Sequence, residues 1–150
     1  MDPEALRTLN VNIRAGKTRL YHGGFPGLAV GDMLLPPAES GATSMRGESE
    51  RAGFRRITTS VGLVYVTTER SLAVAVAAYW SRREPGRGRG WVYRIELDDN
   101  DLVPDDDLPR GPFISFQLPR ARIAAILDRG VSPDDPRHAR ELQRFVDLIG

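Results

Sequence analysis

Apolar positions along this chain come in short runs, most of them with the two-residue alternation of half-buried strands. Residues 18–24 read as a strand closed by the Gly23-Gly24 turn. Gly27-Leu28-Ala29-Val30-Gly31-Asp32 reads as a tight connection to Leu34-Leu35-Pro36-Pro37. Gly62–Thr67 is the second strand, and helix signals follow it. Thr68 is the expected N-cap, and Leu72, Val76, Tyr79 and Trp80 recur at helical spacing with Ala73 and Ala77 between them. The helix should end before Pro85, with Gly86-Arg87-Gly88-Arg89-Gly90 as a turn. Trp91, Tyr93, Ile95 and Leu97 then alternate with Val92, Arg94 and Glu96, which predicts a strand with one apolar face. Phe113–Leu118 and Arg122–Leu127 predict two more, and Ser132 with Pro133 predicts the start of a C-terminal helix. That helix would set Leu142, Phe145, Val146 and Ile149 on one face.

The intervening stretches lack periodicity. Residues 1–17 are polar with weak helical character, and Asn10 to Lys17 read as an irregular lead-in. Residues 38–56 predict a loop with a short helical piece near Glu48–Phe54, and residues 98–111 an acidic loop. A loop as long as the first is often functional. Strands gathered around few helices give an α+β chain. Its 150 residues fit one domain, 1–150, without an internal repeat.

Composition narrows the chemistry. There is no cysteine, which excludes disulfides, thiolate zinc sites and thiol catalysis. His22 and His138 are the only histidines, so no multi-histidine metal site is expected. The formal net charge of +1 gives no overall pull toward nucleic acid or anionic lipid. The Arg82–Arg89 tract interleaves glycine, not the aromatics of a single-strand binder, which ranks nucleic acid last among partners. Met1-Asp2-Pro3-Glu4 has no leader-like basic start or apolar core, and no apolar run is long enough to span a bilayer. A cytoplasmic protein without membrane contact is expected.

A few residues could carry chemistry. His22 stands at a strand end before glycines that let a ligand approach the backbone. Read alone, it is a strand-end histidine before a turn. Tyr65 could stack on a heteroaromatic ring, or simply fill its strand's half-buried face. Tyr79 or Trp80 could complete an aromatic box, or both could be helix core. The acids at 105–107 could set a carboxylate against a sugar cation, or belong to a solvated loop. The Gly-Arg-Gly-Arg-Gly tract joins a helix to a strand, the wrong order for a dinucleotide fingerprint.

Taken in order, Tyr21-His22-Gly23, Val30-Gly31-Asp32, Leu34-Leu35-Pro36, Val64-Tyr65-Val66-Thr67, the alanine-rich helix through Trp80, Trp91–Glu96, Asp105-Asp106-Asp107, Ser115-Phe116 and Ile123–Leu127 resemble the mono-ADP-ribosyltransferase superfamily. The similarity spans roughly residues 18–127 and is nearest to the rifampicin ADP-ribosyltransferases, with their His-Tyr-acid, diphtheria-toxin-like NAD pocket. It implies a split β-sheet core with few helices. It also implies NAD as co-substrate without a metal, transfer of ADP-ribose to an acceptor, and release of nicotinamide. The acceptor is open: a small molecule such as an antibiotic, a protein, a nucleic acid, or water. The role, resistance, toxin or regulation, is open too, and a toxin-like role would bring a neutralising protein partner. By the resemblance, His22 would bond a ribose hydroxyl and Gly23 the nicotinamide amide. Tyr65 would stack on nicotinamide with Tyr79 or Trp80 helping, and Gly24 and Thr67 would line the same pocket. The third catalytic residue would be Asp105 or Asp106, or Gln117 on the following strand. The family often has threonine where this chain has Gly24. The chain is also similar to the tRNA 2′-phosphotransferases of the same fold, which carry a histidine where Tyr65 stands. A degenerate module that binds NAD or ADP-ribose without turnover is the remaining alternative.

Overall fold

The computed structural model describes residues 3–34, 64–83, 86, 88–104 and 115–149. Residues 38–56, with the helical piece near Glu48–Phe54, lie outside these, as do Asp105, Asp106, Asp107 and the start of the strand expected from Phe113. The described chain is α+β. Its order is α1 (Pro3–Arg14), β1 (Leu20–Gly24), β2 (Met33–Leu34), β3 (Val64–Thr67), α2 (Arg70–Arg83), β4 (Trp91–Glu96), β5 (Val103–Pro104), β6 (Ser115–Leu118), β7 (Ala121–Asp128) and α3 (Pro136–Ile149). The strands form one antiparallel sheet in the order β2-β7-β4-β1-β3-β6-β5. No helix among the described residues is long and apolar enough to cross a membrane.

Strand alternation divides the core between the two faces of the sheet. On one face Val92, Tyr21, Tyr65 and Leu127 pack against α2, which is itself backed by Leu142 and Val146 of α3. Leu72, Ala73, Ala75, Val76, Ala77, Ala78 and Tyr79 are all buried, so α2 is enclosed nearly all round, as its alanine content permits. On the other face Leu20, Val66, Tyr93, Ile95, Phe116, Leu118 and Ile123 form a second cluster with Leu6, Leu9 and Ile13 of α1. The expected Trp91-Tyr93-Ile95-Leu97 face is this one.

Two glycines set how closely α2 lies on the sheet. A Cβ on Gly23 would stand 1.8 Å from the Ala73 carbonyl oxygen, and one on Gly90 would stand 2.3 Å from that of Ala77. The buried Ser81 hydroxyl adds a polar tie, accepting from Gly90 N at 2.7 Å and donating to Val131 O at 2.7 Å.

Several elements differ from the sequence reading. The weak helical character of the N-terminal region is a helix over Pro3–Arg14 that continues through residues 10–14, where an irregular lead-in was expected, because Leu6, Leu9 and Ile13 share a face around the buried Asn10. Asn10 earns its buried place with two bonds: it donates to Leu6 O and accepts from Leu102 N, both at 2.9 Å. Met33–Leu34 and Val103–Pro104 are short edge strands where connections were expected, held by pairing to β7 and β6. Helix α3 starts three residues later than Ser132-Pro133 suggested. Asp135 is its N-cap, accepting from Arg137 N at 2.9 Å, with Pro136 in the first turn. Ser132 Oγ instead accepts from Asp134 N at 3.2 Å and shapes the preceding turn. At α2, Thr67, not Thr68, supplies the oxygen, accepting from Glu69 N at 3.0 Å.

Candidate active site

The site forms where two central strands part. β1 pairs with β4 along its whole length, from Leu20–Ile95 to Gly24–Trp91. It pairs with β3 only at Tyr21–Thr67. Beyond that pair, the Tyr65 carbonyl is taken by a side chain: His22 Nδ1 lies 2.7 Å from Tyr65 O. A carbonyl oxygen can only accept, so Nδ1 carries the proton and donates. The neutral ring therefore presents Nε2 as a bare acceptor. Burial holds the His22 pKa down at about 4, partly offset by the bond to Tyr65 O, so the ring is neutral at physiological pH. Nε2 lies beside Gly24: a Cβ there would stand 3.2 Å from it.

Tyr93, cross-strand from His22, lies nearly parallel to it, with ring centroids 6.4 Å apart and planes 25° apart. Its hydroxyl donates to Phe25 O at 2.7 Å and accepts from Leu28 N at 3.3 Å, pinning the segment that leaves β1. Burial raises the Tyr93 pKa to about 12, so the phenol keeps the proton this clamp needs. Sequence reasoning placed Tyr93 on the correct strand face but gave it no role at the site. The signal is the β1–β4 register, which alternation alone does not supply.

Tyr65 is half-buried, with its ring centroid 6.4 Å from that of His22. Gln117 is its cross-strand partner on β6 and therefore shares its sheet face, buried to 9% exposure. The fold thus brings together His22, Gly23, Gly24 and Tyr65, while Gln117 lies with Tyr65 on the sheet face opposite to that of His22 and Tyr93. Thr67 is buried beside them, its oxygen engaged at the start of α2. Tyr79 and Trp80 are separated by the helix. Tyr79 is 2% exposed within the core, with the Arg82 guanidinium 5.8 Å from its ring centre. Trp80 is half-exposed and meets Phe25 edge-to-face at 6.1 Å. Phe25, 38% exposed, is a further aromatic residue that the sequence reading overlooked. Of the two candidate helix aromatics, Trp80 is the one with surface to offer a ligand. Gly23 has a structural reason to be glycine in its contact with Ala73, independent of any ligand.

This arrangement can accept a hydrogen bond from a ligand hydroxyl at His22 Nε2, with the rings of Tyr65 and Tyr93 nearby. Among the described residues, no group of three or more histidines and carboxylates is placed to hold a metal ion. Compared with known proteins, the chain matches no family model and no curated protein.

Proposed function

We propose that this protein is an NAD-dependent mono-ADP-ribosyltransferase with a split-sheet ADP-ribosyltransferase-like fold. The observation that carries the proposal is His22, whose bond to Tyr65 O leaves Nε2 an acceptor beside Gly24 where β1 and β3 part. A ribose hydroxyl is a fitting donor to that nitrogen. Nicotinamide would lie toward Tyr65, with Trp80 at the edge of the same opening. The bond between ribose C1′ and the nicotinamide nitrogen breaks, and its electron pair leaves with nicotinamide. The acceptor's oxygen or nitrogen then bonds to C1′, and its proton passes to solvent or a nearby base. Positioning and fixed dipoles supply the catalysis, with Gln117, Asp105 or Asp106 as candidates for the group that steadies the cation.

A second reading rests on Gln117. A neutral amide beside Tyr65 suits a module that binds NAD or ADP-ribose without turnover. Nicotinamide release from NAD by the purified protein, with labelled NAD to trap acceptors from cell extract, separates the two. Release with label transfer is the expected result and yields the acceptor class. Binding without release favours the module. Absence of both binding and release rejects the NAD site.

A further inference from the structure

The strand pairing that places His22 also places an unusual pair one step away. Trp91 is the cross-strand partner of Gly24, and so shares a face with His22 and Tyr93. Between Val92 and Tyr93 the register of β7 shifts, so that Leu127 is an extra residue between the partners Ile126 and Asp128. Such a bulge re-aims the side chains that follow. Arg129 comes next, and its guanidinium sits over the Trp91 ring, 5.7 Å from the centroid. Arg89, two residues before Trp91, lies against Gly130, its Cβ and Cδ 3.8 Å from where a Gly130 Cβ would stand. Both arginines are exposed, and neither has an ion pair with a carboxylate among the described residues. The nearest acid in sequence, Asp128, is aligned with Val92, one step back along the strand pair.

We propose that Arg129, on its Trp91 platform, and the neighbouring Arg89 form a diphosphate subsite for the dinucleotide whose ribose is held by His22. This inference rests on the reading of the site as an NAD site, and it adds where the phosphates lie. The argument is one of chemistry and order. Going from His22 Nε2 over the bare backbone of Gly24 leads to Trp91 and then to the two cations. A ribose, its 5′ carbon and a diphosphate follow one another in the same sequence. Arginine's planar fork matches phosphate oxygens, and stacking on an indole leaves its N–H edges available.

The test compares ligands that carry one part of NAD each. Wild type, Arg129→Gln, Arg89→Gln and Trp91→Phe are titrated with NAD, nicotinamide riboside and inorganic pyrophosphate, following tryptophan emission and calorimetry. Each arginine change should weaken NAD about tenfold or more while leaving nicotinamide riboside unchanged. Pyrophosphate should perturb tryptophan emission in wild type, and Trp91→Phe should remove that response while Trp80 remains as the reporter. NAD affinity unchanged in both arginine variants overturns the subsite and leaves the NAD reading standing. A pyrophosphate response that depends on Arg129 and Trp91, with no NAD binding, keeps the anion site and defeats the NAD reading. No response to either ligand defeats both.

Discussion

His22 couples site chemistry to stability because burial separates its folded pKa from the unfolded one. The unfolded chain binds a proton near 6.5, and the folded chain does so only near 4. Between those values the unfolded state holds more protons, so stability rises with pH. The stabilisation is full above 6.5 and is lost as pH falls through 4. It amounts to at most about 3 kcal/mol, less whatever solvent screening the ring's partial exposure allows. Urea midpoints at pH 4.5, 5.5 and 7 should fall with acidity in wild type, and the slope should flatten in His22→Gln. A slope unchanged by that substitution assigns the titration to another group. NAD cleavage should stay level from pH 8 to about 5, with no inflection near 6.5, because Nε2 is already deprotonated. His22→Ala should lower it about a hundredfold or more. Gly23 is a different kind of residue, demanded by packing. Gly23→Ala drives a methyl group into the Ala73 carbonyl, and α2 must lift off the sheet. A loss of about 3 kcal/mol is expected in denaturant unfolding, with or without NAD.

At the scale of elements, α1 depends on a few polar ties. Arg14 Nη1 pairs with Asp101 at 2.6 Å, and Nη2 donates to Asn100 O at 3.0 Å and Asp98 O at 3.2 Å. Its neighbour one turn back, Asn10, accepts from the buried Leu102 amide. The two should differ in energy. Arg14 is exposed, so Arg14→Ala should cost no more than about 1 kcal/mol and lose its effect in high salt. Asn10→Ala leaves the Leu102 N–H buried without its acceptor and should cost about 2 kcal/mol at any salt. Denaturant titrations at low and high salt distinguish them, and equal losses would show that burial does not decide the outcome. These ties also explain what was legible in the sequence. β1, β3, β4, β7 and α2 were visible because each has an apolar pattern of its own. α1 showed only weakly and its second half not at all, because a polar Asn10 interrupts its stripe, and the amide that satisfies it lies 92 residues away. β2 and β5 have two residues each and owe their strand geometry to partners. Both serine and aspartate followed by proline can begin a helix, so Ser132 and Asp135 were equally good starts for α3 in the sequence. The candidate site was legible as residue types, His22, Tyr65 and Gln117. That His22 meets the Tyr65 carbonyl, and that Gln117 stands beside Tyr65, was not, since both depend on the registers of β1, β3 and β6.

For the whole molecule, the sheet is two unequal halves with a seam between them. β2-β7-β4-β1 is one half and β3-β6-β5 the other. The pair Tyr21–Thr67 and the His22–Tyr65 bond cross the seam, and α2 spans it by packing on β1, β3 and β4. Backbone groups in such a seam have fewer partners than those inside either half, so it should open before the sheet unfolds. Amides of β3 that face β1 should exchange hydrogen faster than those that face β6, while β4 and β7 show the slowest exchange. A ligand that bonds His22 on one half and stacks on Tyr65 of the other ties the halves together. At a hundred times its dissociation constant, NAD should add about 2.7 kcal/mol of stability. The added protection should concentrate at the seam, since the affected opening separates the two groups that would hold the proposed ligand. Exchange mass spectrometry with and without NAD reads both effects. Seam amides as slow as those of β4 in the absence of ligand would reject the hinge. Protection confined to the β5 edge would place the dinucleotide away from His22.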